Sequence, residues 1–165
     1  MTQRGPGGAA VERIRDGLAA ARAAGSRFHE PMILGLLAEA LGLTGEIEAG
    51  LELLAEALAL AQASGARGND AELHRLRGEL LGRLPSPDWT EVEVCFRTAL
   101  AVAREQGTRG FELRAALSLA RLLRDQGRRH EARDLLAPIY GWFTEGFDTP
   151  DLKEAKALID ALGGA

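Results

Sequence analysis

Glycine returns along this chain at a nearly fixed interval, and that interval limits what the chain can fold into. Three stretches end alike: Ala21-Arg22-Ala23-Ala24-Gly25, Ala61-Gln62-Ala63-Ser64-Gly65 and Ala103-Arg104-Glu105-Gln106-Gly107. A weaker fourth ends in Thr144-Glu145-Gly146. The four glycines are 40, 42 and 39 residues apart. Each follows a run of apolar residues at helical spacing, and a helix C-terminus favours glycine because glycine enters the left-handed region freely. The pattern therefore predicts a unit of about 40 residues that closes on a helix end.

Each unit carries two helical runs. Leu34, Leu37, Ala38 and Leu41 follow the i, i+3, i+4, i+7 spacing of an amphipathic helix, and Gly45 breaks it. Ile47, Leu51, Leu54, Leu58 and Ala61 then share one face of a second helix. In the last unit Ala116, Leu119, Ala120 and Leu123 take the first role, Gly127 the break, and Ala132, Leu136 and Ile139 the second role. When Gly45 is aligned with Gly127, Ala38 falls on Ala120, a small residue where two helix backbones would approach closely. The middle unit has Leu73, Leu76 and Leu80 with Gly78 as its small residue, and a longer connection, Gly82 to Asp88, whose Pro85 and Pro87 forbid a continuous helix. Asp88 with Glu91, or Thr90 with Glu93, reads as a capping box for the helix that buries Val92, Phe96, Ala99 and Leu100. No stretch alternates in the manner of a strand. The expected helices are about 9–24, 30–44, 46–64, 70–82, 89–106, 110–126, 128–143 and 149–162, behind a flexible glycine-rich arm at 1–8. Residues 9–165 form one domain: a partial repeat at 9–25, pairs at 30–65, 70–107 and 110–146, and a closing helix at 149–162.

Helix pairs with a glycine break and this pattern of small and large residues resemble tetratricopeptide repeats. Gly45, Gly50, Leu54, Ala57 and Leu58 match the second half of that consensus, as do Gly127, Ala132 and Leu136. Leu34 and Leu41 replace its first-helix Trp and Tyr, and the period is about 40 rather than about 34. The resemblance implies an all-α, tetratricopeptide-like helical-hairpin solenoid, a right-handed superhelix of about eight helices. From about residue 70 to 162, strings such as AELHRLRGELL (71–81) and CFRTALAVAREQG (95–107) resemble the helical tail of bacterial signalling proteins. Those proteins join an adenylate/guanylate cyclase or other N-terminal module to a regulatory P-loop ATPase. The nucleotide-handling domains of that group have no counterpart in these residues. The lone first helix (Val11, Ile14, Leu18, Ala21) reads as the second helix of a unit whose first is missing, so the chain reads as a piece of a larger protein.

The chemistry of an active site is not visible. The glycine-rich arm has no lysine for a P-loop, since the only lysines are Lys153 and Lys156. His29, His74 and His130 lie in separate units without a second ligand one turn away, and a single cysteine, Cys95, offers no thiolate pair, so neither metal nor cofactor is expected. Cys95 precedes Phe96 on an amphipathic helix and reads as a packed residue. The carboxylates Glu91/Glu93 and Glu46/Glu48 are two residues apart and point away from each other on a helix. The chain has 20 Lys and Arg against 24 Asp and Glu, a net charge of −4 that argues against nucleic acid as a partner. No apolar run is long enough to span a membrane, and no signal peptide is recognisable. A cytoplasmic location is expected.

What remains is charge and aromatic placement. Residues 31–65 hold Glu39, Glu46, Glu48, Glu52 and Glu56 and no basic residue, whereas 108–147 hold seven Arg against five acids. On the first helices of the pairs, Glu39, His74 or Arg77, and Arg114, Arg121 and Arg124 would line a groove. Its arginines suit an acidic peptide or an acidic face of a neighbouring domain. Four of the eight aromatics lie in residues 140–147. Trp142 or Phe147 would anchor a partner or pin the closing helix, which Thr149 and Pro150 would cap and start. The expected function is non-catalytic: protein–protein contact or regulation of a neighbouring cyclase or ATPase domain, with self-association through an exposed end. The alternative is a helical domain that senses a small ligand bound between helices.

Overall fold

The computed structural model describes residues 6–164. Eight α-helices account for most of them: α1 (Pro6–Ala23), α2 (Glu30–Thr44), α3 (Ile47–Ser64), α4 (Asp70–Leu81), α5 (Trp89–Gln106), α6 (Arg109–Asp125), α7 (Arg129–Tyr140) and α8 (Pro150–Gly163). A single 3-10 turn, Arg67–Asn69, precedes α4, and no strand occurs among the described residues.

The glycines do what their spacing requires. Gly25, Gly45, Gly65, Gly107, Gly127 and Gly146 have positive φ, from +66° to +90°, and no other described residue does. At four of these helix ends the same reversal recurs, with the amide just past the glycine donating to a carbonyl five residues back. The pairs are Ser26 to Ala21, Glu46 to Leu41, Thr108 to Ala103 and Arg128 to Leu123, at 2.8–3.0 Å. This hydrogen bond satisfies a carbonyl that the helix leaves unpaired and turns the chain sharply, so the next helix runs back along the last.

Four expectations need correction. α1 begins at Pro6, inside the stretch assigned to a flexible arm; residues 1–5 of that arm lie outside the described residues. α7 stops at Tyr140 rather than 143, because Pro138 lacks an amide donor in the last turn and Gly141 follows. Gly146 therefore closes no helix; it accepts from the amide and hydroxyl of Thr149 in the turn before α8. Thr149 stands at the N-cap position without capping, and Pro150 starts α8 as expected. Asp88 does cap α5, accepting from the amides of Thr90 (2.9 Å) and Glu91 (3.2 Å).

Each helix packs on the next in sequence. The even-numbered helices also touch one another in order, α2 on α4, α4 on α6 and α6 on α8. Two apolar clusters result. Val11, Leu18, Leu34, Leu41, Leu54 and Leu80 belong to the first, between α1 and α4; Phe96, Leu119, Leu123, Leu136, Ile139 and Leu158 belong to the second, between α5 and α8. The aligned positions Ala38 and Ala120, Leu41 and Leu123, and Leu54 and Leu136 are all 0–1% exposed. A Cβ on Gly50 would stand 3.0 Å from the carbonyl oxygen of Ala38, so α2 and α3 cross at these two small residues.

An acidic residue is buried in the first turn of each of α2, α4 and α6. Glu30 receives Arg22 Nε at 2.5 Å and Glu112 receives Arg104 Nε at 2.7 Å, two copies of one tie set 82 residues apart. Asp70 receives Arg67 instead, at 2.9 Å, because Gln62 stands where the arginine would be. The acids also suit the positive end of each helix dipole.

Glycine has opposite roles at Gly78 and Gly17. A Cβ on Gly78 would lie 2.6 Å from Phe96 Cε1 and 3.1 Å from Cys95 Cβ, both in the core, whereas one on Gly17 meets nothing within 4 Å. Gly78→Ala should cost about 1–3 kcal/mol of stability through overpacking. Gly17→Ala should add roughly 0.5–1 kcal/mol through helix propensity. Urea unfolding of both variants checks this; equal signs would refute the close crossing.

Candidate functional site

Helices α2, α4 and α6, which touch in order, each carry an aligned stripe. In the repeat register it reads Met32, Leu36, Glu39 and Leu43 on α2, Glu72, Leu76 and Glu79 on α4 with Arg83 just past its end, and Arg114, Ser118, Arg121 and Asp125 on α6. His74 and Arg77 are not on it, which corrects the expectation for α4. Arg77 reaches Glu91 of α5 at 2.9 Å. His74 is half-buried; burial pulls its pKa below the ordinary value, Arg77 and Arg67 add to this, and Asp70 opposes it. The sequence misplaces these two because α4 is packed against four helices, α2, α3, α5 and α6, so its polar residues are not all on one open face.

Arg75 is the centre of a charge network between α4 and α6. It is 7% exposed, yet its guanidinium contacts Glu72 (2.8 Å), Glu79 (3.3 Å) and Ser118 Oγ (3.4 Å). Burial alone would weaken its charge, but the hydrogen bond to Glu72 and the field of Glu72, Glu79 and Glu39 outweigh that and raise its pKa. Arg114 of α6 bridges Glu72 at 2.7 Å and Asp151 of α8 at 3.7 Å. Arg121 bridges Glu79 at 3.2 Å and Glu154 of α8. Ser118 donates to Glu79 at 2.6 Å. The basic groove expected from Arg114 and Arg121 is thus largely neutralised from within, by carboxylates of α4 and α8. Among the described residues Arg124 pairs only with its chain neighbour Asp125, at 2.8 Å.

Beside this network a cleft of about 220 Å³ opens between α4, α5 and α6. Gly78 and Gly82, the aromatics Trp89 and Phe96, and side chains of both charges line it: Arg83, Arg121 and Arg124 with Glu79 and Asp125. Trp89 is 49% exposed at the start of α5, where the proline-rich connection delivers it. Sequence reasoning did not single out Trp89 or Arg83; the signal available was a Trp directly after the Asp88 cap, which is an exposed position of the first helical turn. Glu39 borders a second cleft with Arg83 and Arg121.

The aromatic segment is partly packed and partly exposed. Tyr140 and Phe143 pack against the second apolar cluster. Trp142 and Phe147 remain 42% and 45% exposed, with Arg109 over the Trp142 ring at 5.7 Å and Phe147 against Tyr140 at 5.7 Å.

On the outer face Glu93 receives Arg97 and Arg128, and Glu131 receives the same two arginines, which ties α5 to α7. Burial would raise the Glu93 carboxyl, but the hydrogen bonds from Arg128 and Arg97 hold it below its ordinary 4.5. Cys95 is buried, and burial raises its thiol pKa against the pull of Arg77. Among the described residues no group of three or more His, Cys, Asp and Glu could hold a metal, and no helix is long and apolar enough to cross a membrane. No protein-family model and no curated protein matches the chain.

Two outcomes follow from these charges. Arg75→Met should cost roughly 3 kcal/mol in urea unfolding, because it leaves two packed carboxylates facing each other. Arg121→Met, at a position about a third exposed, should cost about 1 kcal/mol or less. A cost for Arg75→Met no larger than that for Arg121→Met would refute its central place. Glu93 contributes stability that is complete above pH 4.5 and is lost as pH falls through its lower folded value. Thermal melts from pH 7 to pH 3 should therefore show a steeper acid decline in the wild type than in Glu93→Gln, with the variant less stable at pH 7.

Proposed function

We propose that this chain is a non-catalytic interaction module: a tetratricopeptide-like, right-handed helical-hairpin solenoid whose inner face receives a peptide or a neighbouring domain. The period of the glycines, the recurring reversal after them and the contacts between alternate helices support that architecture. The resemblance of residues 70–162 to the tails of cyclase- and ATPase-type signalling proteins supports a regulatory setting, in which the module holds or restrains an adjoining nucleotide-handling domain.

One observation carries the choice of ligand. The cleft at Trp89 combines an exposed aromatic with Arg83, which is in no ion pair among the described residues, and with Arg124, which pairs with its chain neighbour Asp125 but with no other helix. An apolar side chain on Trp89 with an aspartate or glutamate beside it fits that arrangement, because a guanidinium pairs a carboxylate in two-pronged fashion. The acidic partner expected from Arg114, Arg121 and Arg124 is therefore moved to one end of the groove.

Selection from a displayed peptide library on the intact chain tests this. Enriched peptides should carry Asp or Glu next to an aromatic or leucine. Trp89→Ala, and Arg83→Ala with Arg124→Ala, should each weaken binding at least about tenfold. Absence of enrichment, or enrichment indifferent to all three substitutions, would remove the reading. Thermal stabilisation by a small molecule in the same cleft would replace it with a ligand sensor.

A further inference from the structure

A further cleft, of about 210 Å³, opens between α2, α4 and α6. Met32 and Leu36 line it from α2, Leu76 from α4 and Phe111 from α6. Leu76 is buried, whereas Met32 and Leu36 are 41% and 49% exposed. The charged residues of this cleft differ in how far they are committed. Glu72 holds Arg75 at 2.8 Å and Arg114 at 2.7 Å, and Arg114 also reaches Asp151 at 3.7 Å. Glu39 is half-buried, and among the described residues it is in no ion pair and no hydrogen bond. It adds to the field that keeps Arg75 charged. Apolar surface thus lies beside an uncommitted carboxylate, the reverse of the Trp89 cleft, where the uncommitted charge is Arg83. Glu39 and Arg83 both border the cleft between these two, yet among the described residues no ion pair joins them.

We propose that this cleft is a second anchor site for the bound peptide, taking an apolar side chain with a lysine or arginine beside it on Glu39. The inference rests on the peptide reading of the Trp89 cleft but uses different residues. Three observations support it. The two clefts are continuous: the one between them shares Glu39 and Leu76 with this cleft and Glu79, Arg83 and Arg121 with the Trp89 cleft. Along α4 the lining residues Glu72, Leu73 and Leu76 precede Gly78, Glu79 and Gly82 by about six positions, roughly 9 Å of helix. An extended peptide covers that span in about three residues. The size suits a side chain, since about 210 Å³ is below the roughly 300–1,000 Å³ of a small-molecule pocket. The uncommitted charges are opposite at the two sites, so a peptide with an acid at one anchor and a base at the other fits in one orientation, and its reversal sets like charges together.

Short random peptides displayed for selection on the intact chain and its variants read both anchors at once. The wild type should enrich peptides in which Leu, Met or Phe next to Lys or Arg stands about three residues from the acidic pair that meets the Trp89 cleft. Glu39→Lys should replace the enriched Lys or Arg by Asp or Glu and leave the other pair as it was. Glu39→Gln, which places no new cation near Arg75, should lose the preference for Lys or Arg without gaining one for acids. Trp89→Ala should lose the first pair and keep the second. A synthetic peptide of the wild-type consensus, followed by fluorescence anisotropy, should bind Leu36→Glu and Glu39→Lys at least about tenfold more weakly. Exchange of its basic residue for Glu should restore affinity for Glu39→Lys. The helical circular dichroism of Leu36→Glu should be unchanged, because Leu36 is exposed. Peptides that carry only the Trp89 pair, or a second pair indifferent to Leu36→Glu and Glu39→Lys, would overturn this proposal and leave the Trp89 reading standing. Enrichment of the second pair alone, insensitive to Trp89→Ala, would keep this site and remove that reading. Absence of any enrichment would remove both.

Discussion

Arg75 occupies the seam between the two apolar clusters, and a guanidinium buried there dictates what its neighbours must be. One cluster lies among α1 to α4 and the other among α5 to α8, and the connection between α4 and α5 is the longest, most proline-rich one in the first five helices. Apolar packing alone would leave two helical halves joined at Gly78 and Phe96. A buried cation needs paired carboxylates in fixed positions, because desolvation would otherwise make its burial unfavourable. Glu72 and Glu79 supply them from one turn before and one turn after Arg75, and these two carboxylates in turn draw in Arg114 and Arg121 of α6. Asp151 and Glu154 then extend the alternation to α8. The network sets the register of three even-numbered helices with respect to each other, which a smooth apolar face would not do.

That commitment decides which charges remain for a partner. An arginine shared between carboxylates on two helices offers little further attraction, so counting arginines along the groove overstates its positive field. Arg83 and Arg124 differ: Arg83 lies past the end of α4 in no ion pair among the described residues, and Arg124 pairs only within its own helix, with Asp125. The connection from Gly82 to Asp88 then carries Trp89 to the same corner. Charge and exposed aromatic surface thus meet at the edge of the ion network.

The helices were legible because two signals agree at each: an apolar stripe of period 3.6 and a glycine at its end. Asp88 and Pro150 mark helix starts for equally local reasons. The failures are non-local. The apolar spacing makes α7 too long, since the aromatics after Tyr140 continue the apolar count past Pro138, whose missing amide matters more. A single amphipathic face for α4 puts His74 and Arg77 in the groove, but burial by α2, α3, α5 and α6 leaves that choice to tertiary packing. The ties Arg22–Glu30 and Arg104–Glu112 are visible as the same two residue types at the same spacing, 82 residues apart, but a sum of charges does not show them. The pairing of Arg114 and Arg121 could not be foreseen by inspection of one helix, for their partners lie on α4 and α8.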